Sequence, residues 1–144
     1  MNIFKSLTYY MWHIIERMDL MSINKVLWLD DNPIVKQIYG VLFKNTKIRI
    51  HSVFTINEAN EWLKKETPDV FIMDLIAEDK KDLIPRIHYI ENIHKQFEKT
   101  KIVIYTGYQK KWIKEKLNPI IADYIYKSCE PYIFLSKIEA LIKG

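Results

Sequence analysis

The chain has 144 residues, of which 49% are hydrophobic and 28% charged; this suits one packed domain and excludes wholesale disorder. Its three glycines, Gly40, Gly107 and Gly144, cannot form a glycine-rich phosphate loop of the nucleotide-binding types. The single cysteine, Cys129, excludes a disulfide framework and a cysteine-built zinc site, so a reducing, cytoplasmic setting is expected. Lysine and arginine number 22 against 18 aspartates and glutamates, a net charge of +4. Because nearly all the basic residues are lysines spread through helical segments, they are read as a solvated surface rather than a nucleic-acid face. No run reaches the roughly 18 apolar residues of a membrane span.

Residues 1–22 differ from the rest. Phe4, Leu7, Met11, Ile14, Met18 and Met21 recur at spacings of three and four, a heptad-like stripe. Three readings stay open for this segment. It is an amphipathic helix docked on its own domain, a dimerisation or membrane-surface helix, or an extension from a start placed ahead of Met21-Ser22-Ile23-Asn24. The segment 23–144 reads as a domain by itself.

From residue 25 strand and helix signals alternate. Lys25–Leu29 is a short apolar run closed by two acids, and Pro33 suits the first turn of a helix whose buried face is marked by Ile34, Ile38, Val41 and Leu42. Ile48–Phe54 is rich in β-branched residues. Thr55 with Glu58 three residues on predicts a capping box, and Ala59, Trp62 and Leu63 give that helix its apolar side. Val70–Leu75 reads as a buried strand carrying one acid, Asp74. Residues 77–82 read as a charged loop, and Ile84–Phe97 as a helix. Lys101–Thr106 is another buried strand, Gln109–Leu117 a short helix, Tyr124–Lys127 the last strand and Tyr132–Lys143 the last helix. Strands apolar on both faces and joined by helices predict an α/β domain with a five-stranded, all-parallel, doubly wound sheet in the order 2-1-3-4-5.

In such a sheet the strand carboxyl ends share one edge. Asp30 and Asp31 end the first strand, Asp74 lies near the end of the third, Thr106 ends the fourth and Lys127 the fifth. Taken singly each is ordinary: Asp30-Asp31 is a helix cap helped by Asn32, Thr106 a strand-end hydroxyl, Lys127 a solvated lysine and Tyr124 a core residue. Together they gather three carboxylates, a hydroxyl and an ammonium at one place. Clustered carboxylates repel, and a hard divalent cation with oxygen ligands resolves the conflict. His13, His51, His88 and His94 lack metal-ligand spacing and are read as surface or packing residues. Trp28 and Trp62 are read as core, and Trp112 as partly exposed.

The segments Leu29–Pro33 (L-D-D-N-P), Pro68–Leu75 (P-D-V-F-I-M-D-L), Ile102–Gly107 (I-V-I-Y-T-G) and Asp123–Lys127 (D-Y-I-Y-K) resemble the receiver domain of two-component response regulators, in its stand-alone, chemotaxis-type, flavodoxin-like form. The resemblance runs from about Asn24 to Gly144. It implies that Asp74 accepts a phosphoryl group from a sensor histidine kinase or phosphotransfer protein. It implies that Asp31, Asp30 partly through water, Asp74 and the backbone carbonyl of Ile76 hold Mg²⁺. Lys127 and the Thr106 hydroxyl would each bind a phosphoryl oxygen. Thr106 would then move toward the phosphoryl group and Tyr124 would rotate inward. The readout surface would be the fourth helix, fifth strand and fifth helix of the alternating units, facing a downstream protein target. Ile76 and Tyr108 fall where the family tunes hydrolysis, and their bulk implies a long-lived phosphoryl state. The resemblance implies no enzyme acting on external substrates, only self-phosphorylation and dephosphorylation. Nothing follows the last helix in the sequence, so no output domain is expected. Both residues 1–22 and the readout face are candidate homodimer surfaces.

Three positions depart from the family pattern. The loop after Asp74 (Leu75–Asp82) has no proline or glycine. Lys127 is followed by Ser128 rather than proline, so a trans bond is expected there. Bulky Ile76 and Tyr108 do not orient water. The altered loop keeps a rival open: a phosphorylation-independent pseudo-receiver acting as a protein-binding module. An aspartyl phosphohydrolase fits less well, because no D-x-D follows the first strand.

Overall fold

The computed structural model describes residues 3–21, 24–75, 80–107 and 110–143. The helix α1 (Ile3–Met21) comes first, and the alternating units follow as β1 (Asn24–Leu29), α2 (Pro33–Phe43), β2 (Ile48–Val53), α3 (Ile56–Leu63), β3 (Val70–Met73), α4 (Lys80–Gln96), β4 (Lys101–Thr106), α5 (Lys111–Leu117), β5 (Asp123–Tyr126) and α6 (Pro131–Lys143). The five strands form one sheet in the order β2-β1-β3-β4-β5, every pair parallel. This is the doubly wound order expected from the alternation.

Side chains alternate along each strand, so the sheet has two apolar faces. Leu27, Leu29, Phe71, Met73, Ile102 and Ile104 pack with Ala59 of α3, Ile87 and Ile90 of α4 and Ile113 and Leu117 of α5. On the other face Val26, Trp28, Val70, Ile72, Val103 and Tyr105 pack with Tyr39 and Phe43 of α2 and Phe134 and Ile138 of α6. A sheet buried on both sides explains why its strands read as continuous apolar runs.

The second face carries an aromatic cluster. Trp28, Tyr39, Tyr105 and Phe134 have ring centroids 4.7–5.8 Å apart, and the Tyr39 and Tyr105 hydroxyls lie 2.8 Å apart in a buried hydrogen bond. Tyr39→Phe should cost about 1–3 kcal/mol, because it strands the Tyr105 hydroxyl. Adding Tyr105→Phe should return most of that loss. Urea unfolding of the two single variants and the double variant checks this, and additive losses would contradict it.

This cluster also corrects the expected phase of α2. Ile34, Ile38 and Val41 are exposed, and the buried residues of that helix among its described side chains are Tyr39 and Phe43. The Tyr39–Tyr105 bond and ring packing on Phe134 orient the helix, so the aliphatic stripe is left facing outward. In α6 likewise Phe134 is buried while Ile133 is about half exposed. The α4 helix starts at Lys80, inside the segment 77–82 expected as loop, and Pro85 in its second turn omits one helical bond. The capping box at α3 forms with a shift. Thr55 Oγ1 accepts from the Glu58 amide at 3.2 Å, while the Glu58 carboxylate accepts from the Phe54 amide at 2.9 Å rather than from Thr55. Trp28 is buried as expected, whereas Trp62 is half-buried and stacks on His51. Among the described residues no helix is long and apolar enough to cross a membrane.

Candidate functional site

The site grows out of the sheet ladder. Leu29 of β1 stands opposite Met73 of β3, and the ladder runs one step further: the Asp74 amide donates to the Leu29 carbonyl at 3.0 Å, and the Asp30 amide to the Val53 carbonyl at 3.1 Å. Asp30 and Asp74 are therefore neighbours just past the strand ends. On the other side the Lys127 amide donates to the Thr106 carbonyl at 2.9 Å, which fixes Lys127 one step beyond β5. The expected convergence of Asp30, Asp31, Asp74, Thr106 and Lys127 is present.

A carboxylate oxygen from each of Asp30, Asp31 and Asp74 lies within 4.8 Å of the other two. Asp30 is fully buried and Asp74 is 6% exposed, while Asp31 faces solvent. The Lys127 ammonium donates to Asp74 Oδ2 at 2.6 Å and lies 3.1 Å from Asp30 Oδ2. Asp30 Oδ1 accepts the Asn32 amide at 2.9 Å, and Asn32 Oδ1 in turn caps α2 through the Ile34 amide. The cap of α2 is thus Asn32 rather than the Asp30-Asp31 pair, and the same turn aims Asp30 into the pocket.

Charge is unevenly balanced here. Burial pushes the Asp74 carboxyl above its ordinary range. Lys127, by hydrogen bond and charge, and a hydrogen bond with Thr106 oppose the rise, whereas the neighbouring Asp30 adds to it. Burial alone would lower the Lys127 pKa, but the Asp74 bond and the charges of Asp74 and Asp30 outweigh it and raise it. One ammonium is thus shared by the two buried carboxylates. Asp30 Oδ2 is buried beside the Lys127 ammonium and has no further hydrogen-bond donor among the described residues. A buried carboxylate oxygen with lone pairs to spare, set among carboxylates, is the donor set of a hard oxygen-loving cation.

Two side chains that sequence reading passed over belong to the rim. Lys36 of α2 donates to the Val53 carbonyl at 2.6 Å and sits 3.7 Å from the Phe54 ring centroid. Burial lowers its pKa, against the charges of Asp30, Glu58 and Asp31. Arg86 of α4 donates from Nη1 to the backbone carbonyl of Asp74 at 3.1 Å. A signal existed for Arg86, one of three arginines in a lysine-rich chain.

Tyr124 differs from expectation in its state. It is already inside, 7% exposed and edge-on to Tyr126 at 5.5 Å between ring centroids. Burial first, then the neighbouring Tyr126 and Asp74, push its hydroxyl up to about 12. Together with the Thr106–Asp74 hydrogen bond, this places both Thr106 and Tyr124, the two residues expected to move, beside the site in this structure. Ile76 and Tyr108 lie outside the described residues. Among the described residues no cis peptide occurs, and the Lys127–Ser128 bond is trans as expected. His13, His51 and His88 are exposed and His94 is half-buried, consistent with surface and packing roles.

Comparison with known proteins agrees with this geometry. No curated protein is a significant sequence relative. A response regulator from Thermotoga maritima superposes with a TM-score of 0.72 at 20% identity, covering 84% of this chain and 98% of that one. The Francisella response regulator 1452 receiver domain gives 0.67 at 23% identity over 83% and 97%. A BeF3-activated DrrB receiver domain gives 0.68 at 15% identity over 85% and 99%. These likenesses establish the fold. The sequence model of the response regulator receiver domain matches residues 26–139, spanning every strand and all the acids, the hydroxyl and the lysine gathered at the sheet edge, and the chain belongs to the response regulator receiver domain family.

Proposed function

We propose that this chain receives a phosphoryl group on Asp74 from a sensor histidine kinase or phosphotransfer protein, with Mg²⁺ held by Asp30, Asp31 and Asp74. The observation that carries the reading is the buried pair Asp30–Asp74 sharing a single ammonium, Lys127, at 3.1 and 2.6 Å. Asp74 offers a carboxylate oxygen as nucleophile at the pocket floor. A bound Mg²⁺ would supply the positive charge that lets a phosphoryl group approach three carboxylates. Lys127 and Thr106 already reach the Asp74 carboxylate, so after transfer they can satisfy phosphoryl oxygens with little reorganisation, the main source of rate in this chemistry. Asn32 holds Asp30 in place.

The phosphoryl group adds negative charge and strong acceptor oxygens to Asp74. Since Tyr124 is already inward, the expected response is a tightening of the Thr106 and Lys127 contacts and of the surface behind them: α5, β5 and α6, with Trp112 of α5 on its rim. The downstream partner on this reading is a protein.

A beryllofluoride phosphoryl mimic tests the site without a kinase. With Mg²⁺ and beryllofluoride at about 100 times the apparent Kd, the unfolding free energy should rise by about 2.7 kcal/mol. Omitting Mg²⁺ or substituting Asp74→Ala should abolish the rise. No stabilisation of the native chain would favour a phosphorylation-independent binding module instead.

A further inference from the structure

We infer that α1 pairs with α1 of a second copy of this chain, making a dimer whose interface is separate from the phosphoryl site and from the α5–β5–α6 surface. The helix spans 19 residues, Ile3–Met21, and none of its residues 3–17 belongs to either core layer. Leu7, Met11 and Ile14 are each more than half exposed, as are Tyr9, Tyr10 and Trp12. Most of a helix's stability in a protein comes from packing its apolar face, and so large an exposed apolar surface marks an association site.

The spacing says which occupant fits. Phe4, Leu7, Met11, Ile14, Met18 and Met21 follow intervals of 3, 4, 3, 4 and 3, an unbroken a/d seam with no polar residue in it. A heptad seam of this kind is self-complementary and meets its like, and the exposure of Leu7, Met11 and Ile14 shows that it is not spent on the helix's own domain. The flanking e and g positions hold Ile3, Thr8, Tyr10, Ile15 and Arg17. A single cation stands among them, so two copies bring no run of like charges together. The charge of the whole helix argues the same way. Lys5 and Arg17 are matched by Glu16 and Asp19, so α1 lacks the basic face that holds an interfacial helix on anionic lipid. Six seam residues from each helix cover about 1,000 Å², the lower bound of a specific interface, so the dimer should dissociate on dilution.

Light scattering with size exclusion on the full chain tests this. The wild type should approach twice the 17.4 kDa chain mass and lose mass on dilution. A chain carrying Leu7→Glu and Ile14→Glu should elute as monomer, with receiver unfolding and Asp74 phosphorylation unchanged. A second chain with Leu7→Lys and Ile14→Lys should also be monomeric alone, and the two mixed should form a one-to-one dimer, because both positions are d sites and d faces d′ across the parallel seam inferred here. A wild type that stays monomeric at every concentration would overturn the inference. So would a dimer that survives both glutamates, a mixture that fails to associate, or binding of the monomer to phosphatidylglycerol vesicles. The phosphorylation readout in the same samples separates failure of this inference from failure of the proposed function.

Discussion

Lys127→Met is expected to destabilise the protein by about 3 kcal/mol at neutral pH, the usual cost of leaving a buried ionic group without its partner. The ammonium is the only cation in ion-pair contact with the carboxylates of Asp30 and Asp74 among the described residues. Without it two buried carboxylates face each other. Asp74, whose pKa burial already raises, then takes up a proton most readily. The loss should therefore be largest near pH 8 and shrink toward pH 5. In the wild type the Lys127 pKa is raised, so its own contribution is constant across that window and is lost only as pH rises beyond its ordinary value. Phosphorylation by a small-molecule donor should slow by about 10²–10³, as when one stabilising group is removed from a preorganised site. Urea unfolding at pH 5 and pH 8 and a labelling rate at each pH measure both effects. Equal stability of variant and wild type at both pH values would show that the 2.6 Å contact contributes nothing.

Asp74→Asn should abolish phosphoryl acceptance and, without divalent metal, make the protein more stable at pH 7, by on the order of 1 kcal/mol. The sign follows from the raised folded-state pKa of Asp74. Such a carboxyl favours folding while protonated, and its contribution fades as pH rises from the unfolded value through the folded one. At pH 7 the ionised group opposes folding relative to a neutral isostere, mainly through desolvation and secondarily through Asp30. The difference between variant and wild type should therefore vanish toward pH 4. Saturating Mg²⁺ should reverse the order, because the ion binds the ionised native site and stabilises the wild type by mass action. Thermal unfolding with and without Mg²⁺ across that pH range checks both signs. A variant less stable than wild type in the absence of metal would mean that the Lys127 contact outweighs burial.

Much of this was legible because strand ends are written plainly. An apolar run stops where an acid, a hydroxyl or a lysine appears, and a parallel sheet brings all such stops to one edge, so Asp30, Asp74, Thr106 and Lys127 could be placed together before any coordinates. Helix phase was less legible. In α2 the aliphatic Ile34, Ile38 and Val41 and the aromatic Tyr39 and Phe43 compete for one face, and the choice rests on the Tyr105 hydroxyl and the Phe134 ring, both distant in sequence. Long cations escape for a similar reason. Lys36 and Arg86 reach backbone carbonyls at the site from helices, and a solvated lysine or arginine reads the same in sequence. The inward Tyr124 is a question of side-chain rotation, to which spacing is blind. The family tuning positions Ile76 and Tyr108 lie in segments outside the described residues, and their expected effect on phosphoryl lifetime stands on the sequence alone.

The most direct measurement of the central claim is intact-mass and peptide mass spectrometry after incubation with acetyl phosphate and Mg²⁺. The account predicts the added mass of one phosphoryl group on the wild type, located on Asp74, dependent on Mg²⁺ and missing from Asp74→Ala. An unmodified wild-type chain, or a modification that persists in Asp74→Ala, would contradict it.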